Sequence, residues 1–236
     1  MKLTAVFLSK SPSYINAVKE HELDLSGNHI TLIENLGATR DLYDALNFCN
    51  NSIRVLGNFP ELQRLQSIYI ADNRVASIER DLAACLPNIH TLVLTNNDLA
   101  ELVDLEPLRA FSRLRHLSLA SNPAMHKPHA RLWCVWRMPS SLLVLNFERI
   151  TLAERQEAKR LFEAPGGGGL SDLARGILAI ESATNTFVPG EGLGGAAGAA
   201  GQPEAGADAD KQESIAELKA RIREEMAQVA AMEEFI

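Results

Sequence analysis

The chain has 236 residues, 46% of them hydrophobic, and a formal charge of −7. No apolar run approaches the roughly 20 residues of a membrane span, and the N-terminal MKLTAVFLSKSPSY lacks the long apolar core and small-residue cleavage site of a secretory leader, so neither membrane insertion nor secretion is expected. Three widely separated cysteines, Cys49, Cys85 and Cys134, exclude a disulfide framework and suit a reducing compartment.

Residues 3–20 read as a helical cap interrupted near Pro12, with Leu3, Val6, Phe7, Ile15 and Val18 available for packing. From residue 23 one frame recurs five times. It appears as Leu23-x-Leu25-x-x-Asn28-x-Ile30, Leu46-x-Phe48-x-x-Asn51-x-Ile53 and Ile68-x-Ile70-x-x-Asn73-x-Val75, then as Leu92-x-Leu94-x-x-Asn97-x-Leu99 and Leu117-x-Leu119-x-x-Asn122-x-Ala124. The asparagines at 28, 51, 73, 97 and 122 are spaced by 23, 22, 24 and 25 residues, within the range of a leucine-rich repeat.

The frame has a local physical logic. The two apolar residues of L-x-L point from a short strand into the core, and their alternating neighbours face outward. The asparagine then turns the chain, and its amide carries both the donors and the acceptor that satisfy the turn's backbone. Apolar anchors carry each return over the convex side: Ile33 and Leu36, Leu56 and Phe59, Ile78 and Leu82, Leu102 and Leu105. Pro60, Pro87 and Pro107 fall in these returns, where no sheet hydrogen bond is required. A solenoid end left open would expose its core and a strand edge, so both ends need caps.

After Asn122-Pro123 the pattern changes. Arg131–Met138 reads as a buried helix carrying Trp133, Val135 and Trp136, and Leu143-x-Leu145-x-Phe147 as a last strand. Ile150 stands at the asparagine phase, so the ladder stops there. Residues 151–164 read as a capping helix with Leu152, Arg155, Ala158 and Phe162 at helical spacing. The expected fold is α/β: a leucine-rich repeat solenoid with a curved parallel sheet and helical caps at both ends, over residues 1–164. A Gly/Ala/Pro-rich, largely disordered linker follows over 165–212, with a short helix near 170–182. Residues 213–236 form an amphipathic helix with Ile215, Leu218, Ile222, Met226, Val229 and Met232 on one stripe, suited to a helical partner.

No catalytic constellation stands out, so an enzyme is not expected, and no cofactor is implied. The Gly-rich stretch from Pro165 to Gly169 lacks the Lys-Ser or Lys-Thr of a P-loop. His126-x-x-His129 has no accompanying ligand cluster, and Pro128 breaks any helix there, so no metal site is assigned. What remains is surface. The outward strand positions compose a concave trough of mostly small side chains with Tyr69 as its central aromatic. The candidate partner-binding residues are Glu22, Asp24, Asn47, Ser67, Tyr69, Thr91, Val93, Thr95, His116 and Ser118. Such a trough suits a helix laid across the strands. Charge is also segregated: residues 126–160 hold seven basic and three acidic groups, residues 202–236 four basic and nine acidic. The basic end can meet a phosphate backbone.

Particular runs go further than the repeat frame. Glu22-Leu23-Asp24-Leu25, Ile33-Glu34-Asn35-Leu36-Gly37-Ala38-Thr39, Phe59-Pro60 and Leu94-Thr95-Asn96-Asn97 occur in order, followed by Asn122-Pro123, Glu154-Arg155-Gln156-Glu157-Ala158 and Thr186-Phe187-x-Pro189-Gly190. Across roughly residues 3–190 the chain resembles the A-prime family of the U2 small nuclear ribonucleoprotein. The resemblance implies a nuclear splicing component whose concave face holds a helix of an RNA-recognition-motif protein, B-double-prime. The pair would bind a hairpin loop of U2 RNA, reached mainly through that partner. By position, Lys127, Arg131, Arg137, Arg149 and Arg155 are the candidates for phosphate contact. Asn47 and Asn146 stand where the family often carries Asp, and Thr151 where a basic residue is common, which weakens a charge-driven partner contact and a strong RNA grip near 151. Two other readings use the same trough: a leucine-rich regulatory subunit of a phosphatase, and a ciliary or cytoskeletal assembly scaffold.

Overall fold

The computed structural model describes residues 2–164 and 169–180. The chain divides into two compact units, residues 1–14 with 20–185, and residues 15–19 with 186–236. In the second unit the described residues make a turn in which Asn16 accepts from the Val18 amide through its side chain and from the Lys19 amide through its carbonyl. The linker beyond residue 180 and the amphipathic stripe over 213–236 lie outside the described residues.

One short strand per repeat builds the main sheet, and two repeats carry a second. β1 (Ser13–Ile15), β2 (His21–Asp24) and β3 (Ala45–Asn47) are followed by β4 (Val55–Leu56), β5 (Ser67–Tyr69) and β6 (Ser77–Ile78). Then come β7 (Thr91–Val93), β8 (His116–Ser118), β9 (Val144–Leu145) and β10 (Glu148–Arg149). The main sheet has the order β1-β2-β3-β5-β7-β8-β9-β10, parallel from β2 to β9 and closed by β10 antiparallel to β9. β4 and β6 pair in parallel as a second, two-stranded sheet.

The register explains the repeat. Leu23, Leu46, Ile68, Leu92, Leu117 and Leu145 pair in one row, and each is at most 2% exposed. Each buried side chain of this size contributes about 1.5–3 kcal/mol. The return anchors Ile33, Leu36, Leu56, Phe59, Ile78, Leu82, Leu102 and Leu105 are buried against the same core.

The asparagine ladder sits beside that row. Asn97 accepts from the Val75 amide at 2.9 Å and donates to the carbonyls of Ile70 at 2.9 Å, Leu94 at 3.0 Å and Thr95 at 3.2 Å. Asn51, Asn73 and Asn122 repeat this arrangement, each bridging its own turn to the preceding repeat. Asn28 has no repeat before it, and its amide donates only to Ser26 O at 2.9 Å.

The caps differ in detail from the sequence expectation. The N-terminal helix α1 covers only Ala5–Lys10, capped by Thr4, whose hydroxyl accepts from the Phe7 amide. Leu8 is its buried residue, with Leu3 buried just before the helix, whereas Val6 is 64% exposed. Pro12 ends the helical stretch, and the chain continues as strand: Pro12 O accepts from the Asp24 amide at 2.9 Å, covering the open edge of β2. Asn35, in a left-handed conformation, donates to Leu3 O at 2.6 Å and holds the cap down.

At the other end α3 (Ala130–Arg137) buries Trp133, Cys134 and Val135, after a short α2 (Leu82–Cys85) earlier in the chain. Trp133, Trp136 and Phe162 form a cluster with all centroid separations at 5.3 Å. Phe162 ends α4 (Leu152–Phe162), which opens with a capping box between Thr151 and Glu154. Leu152 is 72% exposed, not part of the buried stripe, because the first turn of α4 points away from the core that Ala158 and Phe162 enter. α5 (Asp172–Leu178) packs on α4. The last strand is also shorter than Leu143–Phe147. Asn146 and Phe147 take φ of 50° and 65°, and the chain reverses into β10, leaving Leu143 and Phe147 exposed.

Candidate functional site

The concave face is composed of residues that alternate with the core row. Paired strand residues point to the same face, so the register builds two complete rows. One runs Glu22, Ala45, Ser67, Thr91, His116, Val144, Arg149; the other Asp24, Asn47, Tyr69, Val93, Ser118. The first row therefore begins at a carboxylate and ends at a guanidinium. Arg149, expected only as part of a basic end, is the last residue of the trough itself.

The floor is an internally bonded polar surface. Asn47 donates to Glu22 at 3.0 Å and accepts from the Cys49 amide at 3.1 Å, and Tyr14 donates to Glu22 at 2.9 Å. Thr95 and Ser118 share a hydroxyl hydrogen bond of 2.7 Å. His90 bonds Gln66 at 3.0 Å and Thr91 at 2.9 Å, and Thr91 in turn reaches His116 at 3.4 Å. Glu22, Asn47, Ser67, Thr91, Val93, Thr95 and Ser118 are all buried, with Asp24 and His116 half-buried.

Tyr69, the central aromatic of the trough, is inset in its floor. It is 7% exposed, and its hydroxyl donates to Glu20 at 3.3 Å while Ser67 donates to the other oxygen of Glu20 at 2.5 Å. Burial, reinforced by the charge on Glu20, pushes the phenol well above its ordinary range, so it stays a neutral donor. Glu20, Gln66 and His90 escaped the sequence reading because they precede the strands and fall outside the repeat frame. Their only signal was proximity to it.

The basic candidates are mostly engaged within the protein. Lys127 pairs with Glu101 at 2.6 Å, and Arg131 with Glu154 at 2.7 Å and Glu148 at 3.1 Å. Arg137 binds Glu106 through two parallel hydrogen bonds of 2.6 and 2.7 Å and lies over the Trp136 ring. Arg155 donates to the carbonyls of Leu142 and Ser140, tying α4 to the loop before β9. The Arg131 guanidinium, through its hydrogen bond, holds the Glu154 carboxyl below the usual carboxylate range, aided by the Thr151 amide. Of the five, only Arg149 is both exposed and without an ion pair among the described residues. A cleft of about 530 Å³ adjoins this end, lined by Lys127, His129, Arg131, Asn146 and Glu148 among others.

Among the described residues no group of three or more His, Cys, Asp or Glu side chains is arranged to hold a metal ion. Cys134 is fully buried, and desolvation pushes its thiol up to about 12 against the lesser opposing charge of Arg131. It is an inert packing residue. Cys49, on the concave side, is buried as well.

A parallel sheet of one strand per repeat, an asparagine ladder and an open concave face define a leucine-rich repeat protein, and the leucine-rich repeat family model matches residues 1–176. The chain is 43% identical over 194 residues to the U2 small nuclear ribonucleoprotein A' of Homo sapiens, covering 82% of this chain and 73% of that protein. It is 46% identical over 162 residues to the protein of the same name from Schizosaccharomyces pombe, covering 69% and 67%. Among solved structures it is similar to a chain of the Drosophila melanogaster SNF/U2A' complex, with a TM-score of 0.71 and 40% identity, covering 75% of this chain and 99% of that one. The chain belongs to the U2 small nuclear ribonucleoprotein A' family.

Proposed function

We propose that this protein is a non-enzymatic component of the U2 small nuclear ribonucleoprotein, acting in the nucleus in pre-mRNA splicing. Its concave face binds a helix of the RNA-recognition-motif protein B-double-prime, and the pair binds a hairpin loop of U2 RNA. The observation that carries this reading is the likeness, at a TM-score of 0.71, to a chain of a complex named for SNF and U2A'.

The trough fits the role by its chemistry. Its floor is set in place by its own hydrogen bonds, so a partner helix meets a preorganised surface and association orders little of it. The carboxylate of Glu22 at one end and the guanidinium of Arg149 at the other give the face a polarity that fixes the direction of a helix laid across it. The partner's sheet reads unstacked loop bases, and this chain orients the partner and adds phosphate contacts. Arg149 is the leading candidate for such a contact. Lys127, Arg131, Arg137 and Arg155 would contribute only the donors left over from their internal bonds.

The test is a pull-down from nuclear extract with the full chain as bait, sequencing the RNA and identifying the proteins. Recovery of U2 RNA together with an RNA-recognition-motif protein is the expected result. Recovery of a phosphatase or an axonemal protein without RNA would overturn it.

A further inference from the structure

We propose that Phe147 is a stacking platform for an unpaired base of the RNA bound by this chain and its partner. The inference rests on the U2 reading above and adds a base contact made by this chain itself.

The starting point is a misfit between residue and turn. Leu145 pairs with Glu148, so Asn146 and Phe147 alone make the turn between β9 and β10. Both have positive φ, 50° and 65°, as a two-residue type I′ hairpin requires. Asn suits the first position. The second strongly favours glycine, because a side chain with a Cβ crowds the following carbonyl in the left-handed conformation.

Burial does not explain the phenylalanine. Phe147 is 39% exposed, whereas the residue at the same step of the preceding repeat, Leu119, is fully buried. The hairpin has lifted Phe147 out of the core row that the repeat frame assigns to it. A large, partly exposed apolar side chain thus sits in an unfavourable backbone conformation at the hairpin tip. Strain of this kind persists where a surface is used.

The surroundings point to a nucleic acid. Arg149, two residues on, ends the concave row and is exposed without an ion-pair partner among the described residues. Asn146 and Glu148, on either side of Phe147, line the neighbouring cleft, which Phe147 itself does not line. Residues 126–160 carry seven basic and three acidic groups. An exposed aromatic residue two positions from an arginine that makes no ion pair among the described residues is the pairing that stacks a base and meets its phosphate. The tip is also continuous with the proposed partner face through Arg149, so RNA held by the partner would reach it.

The test uses the full-length chain with its RNA-recognition-motif partner and transcribed U2 small nuclear RNA. Phe147→Gly relieves the turn, so its melting temperature is expected at or above wild type, and affinity for the partner without RNA is unchanged. RNA affinity of the pair is expected to fall roughly fivefold or more. Phe147→Tyr should keep RNA affinity, and Phe147→Leu, apolar but without a flat ring, should lose it as the glycine variant does. Wild-type RNA affinity in Phe147→Gly would overturn the proposal. So would retention in Phe147→Leu, or an equal loss of partner affinity without RNA, which would make the tip a protein contact. A wild-type pair that binds no U2 RNA would overturn the U2 reading itself, and this inference with it.

Discussion

The Asn146 side-chain carbonyl accepts the Leu119 amide at 2.7 Å, in place of the backbone carbonyl that serves every earlier repeat. In those repeats Leu25, Phe48, Ile70 and Leu94 donate to the carbonyls of Asn47, Tyr69, Val93 and Ser118. The turn at Asn146 and Phe147 carries the backbone away, and the asparagine side chain supplies the missing acceptor. Asn146→Ala is expected to destabilise the protein by about 1–2 kcal/mol in urea denaturation, and Asn146→Asp to restore most of it. An alanine variant as stable as wild type would show that water serves the amide equally well.

The ladder should weaken from its interior to its end. Asn97 makes four hydrogen bonds and is 3% exposed, so Asn97→Ala strands several buried backbone groups and should cost about 3 kcal/mol. Asn28→Ala, at the end of the ladder, should cost less than about 1 kcal/mol. Denaturation midpoints of the two variants, compared directly, check the ordering.

Acid should loosen the C-terminal cap. Glu154 has its carboxyl lowered chiefly by Arg131, so its folded value lies below its unfolded value of about 4.5. The stability it contributes is present above the unfolded value and is lost as pH falls through the folded one. Melting temperature measured from pH 6 to 2 should fall on the acid side, and Glu154→Gln should be less stable at pH 6 with a shallower decline. Parallel curves would remove Glu154 from the acid response.

Tyr69 is an inset part of the proposed partner face. Tyr69→Ala should weaken partner binding by about 1–2 kcal/mol by opening a gap in the floor. Tyr69→Phe removes only the bond to Glu20 and should retain most of the affinity. Titration calorimetry with the purified partner distinguishes them. Equal affinities for wild type and the alanine variant would exclude Tyr69 from the site.

RNA binding by the pair should weaken with salt. Arg149→Glu is expected to reduce the slope of log affinity against log salt by about one or more, since one phosphate contact is removed. Arg137→Glu breaks the pair with Glu106 and should lower stability as its main effect. A salt slope unchanged in Arg149→Glu would argue against the contact.

Much of this architecture is readable along one dimension. L-x-L-x-x-N-x-L is a local code: alternation sets which residues face the core, and the asparagine phase sets where each turn comes, so the strand register followed from spacing alone. Side chains outside that code behaved otherwise. Val6, available for packing by sequence, and Leu152, at helical spacing with Ala158 and Phe162, both lie exposed, because short caps bury only the residues their docking angle selects. The five basic candidates looked alike in sequence. Only the fold brought Glu101, Glu106, Glu148 and Glu154 against three of them, through separations of 17 to 31 residues that no spacing rule encodes. It likewise lifted Phe147 out of the core row and placed Arg149 at the end of the trough. The sequence determined the repeat, its core and its family; tertiary structure decided which charges are spent internally and which remain for a partner, because ion pairing depends on distances set by the whole chain.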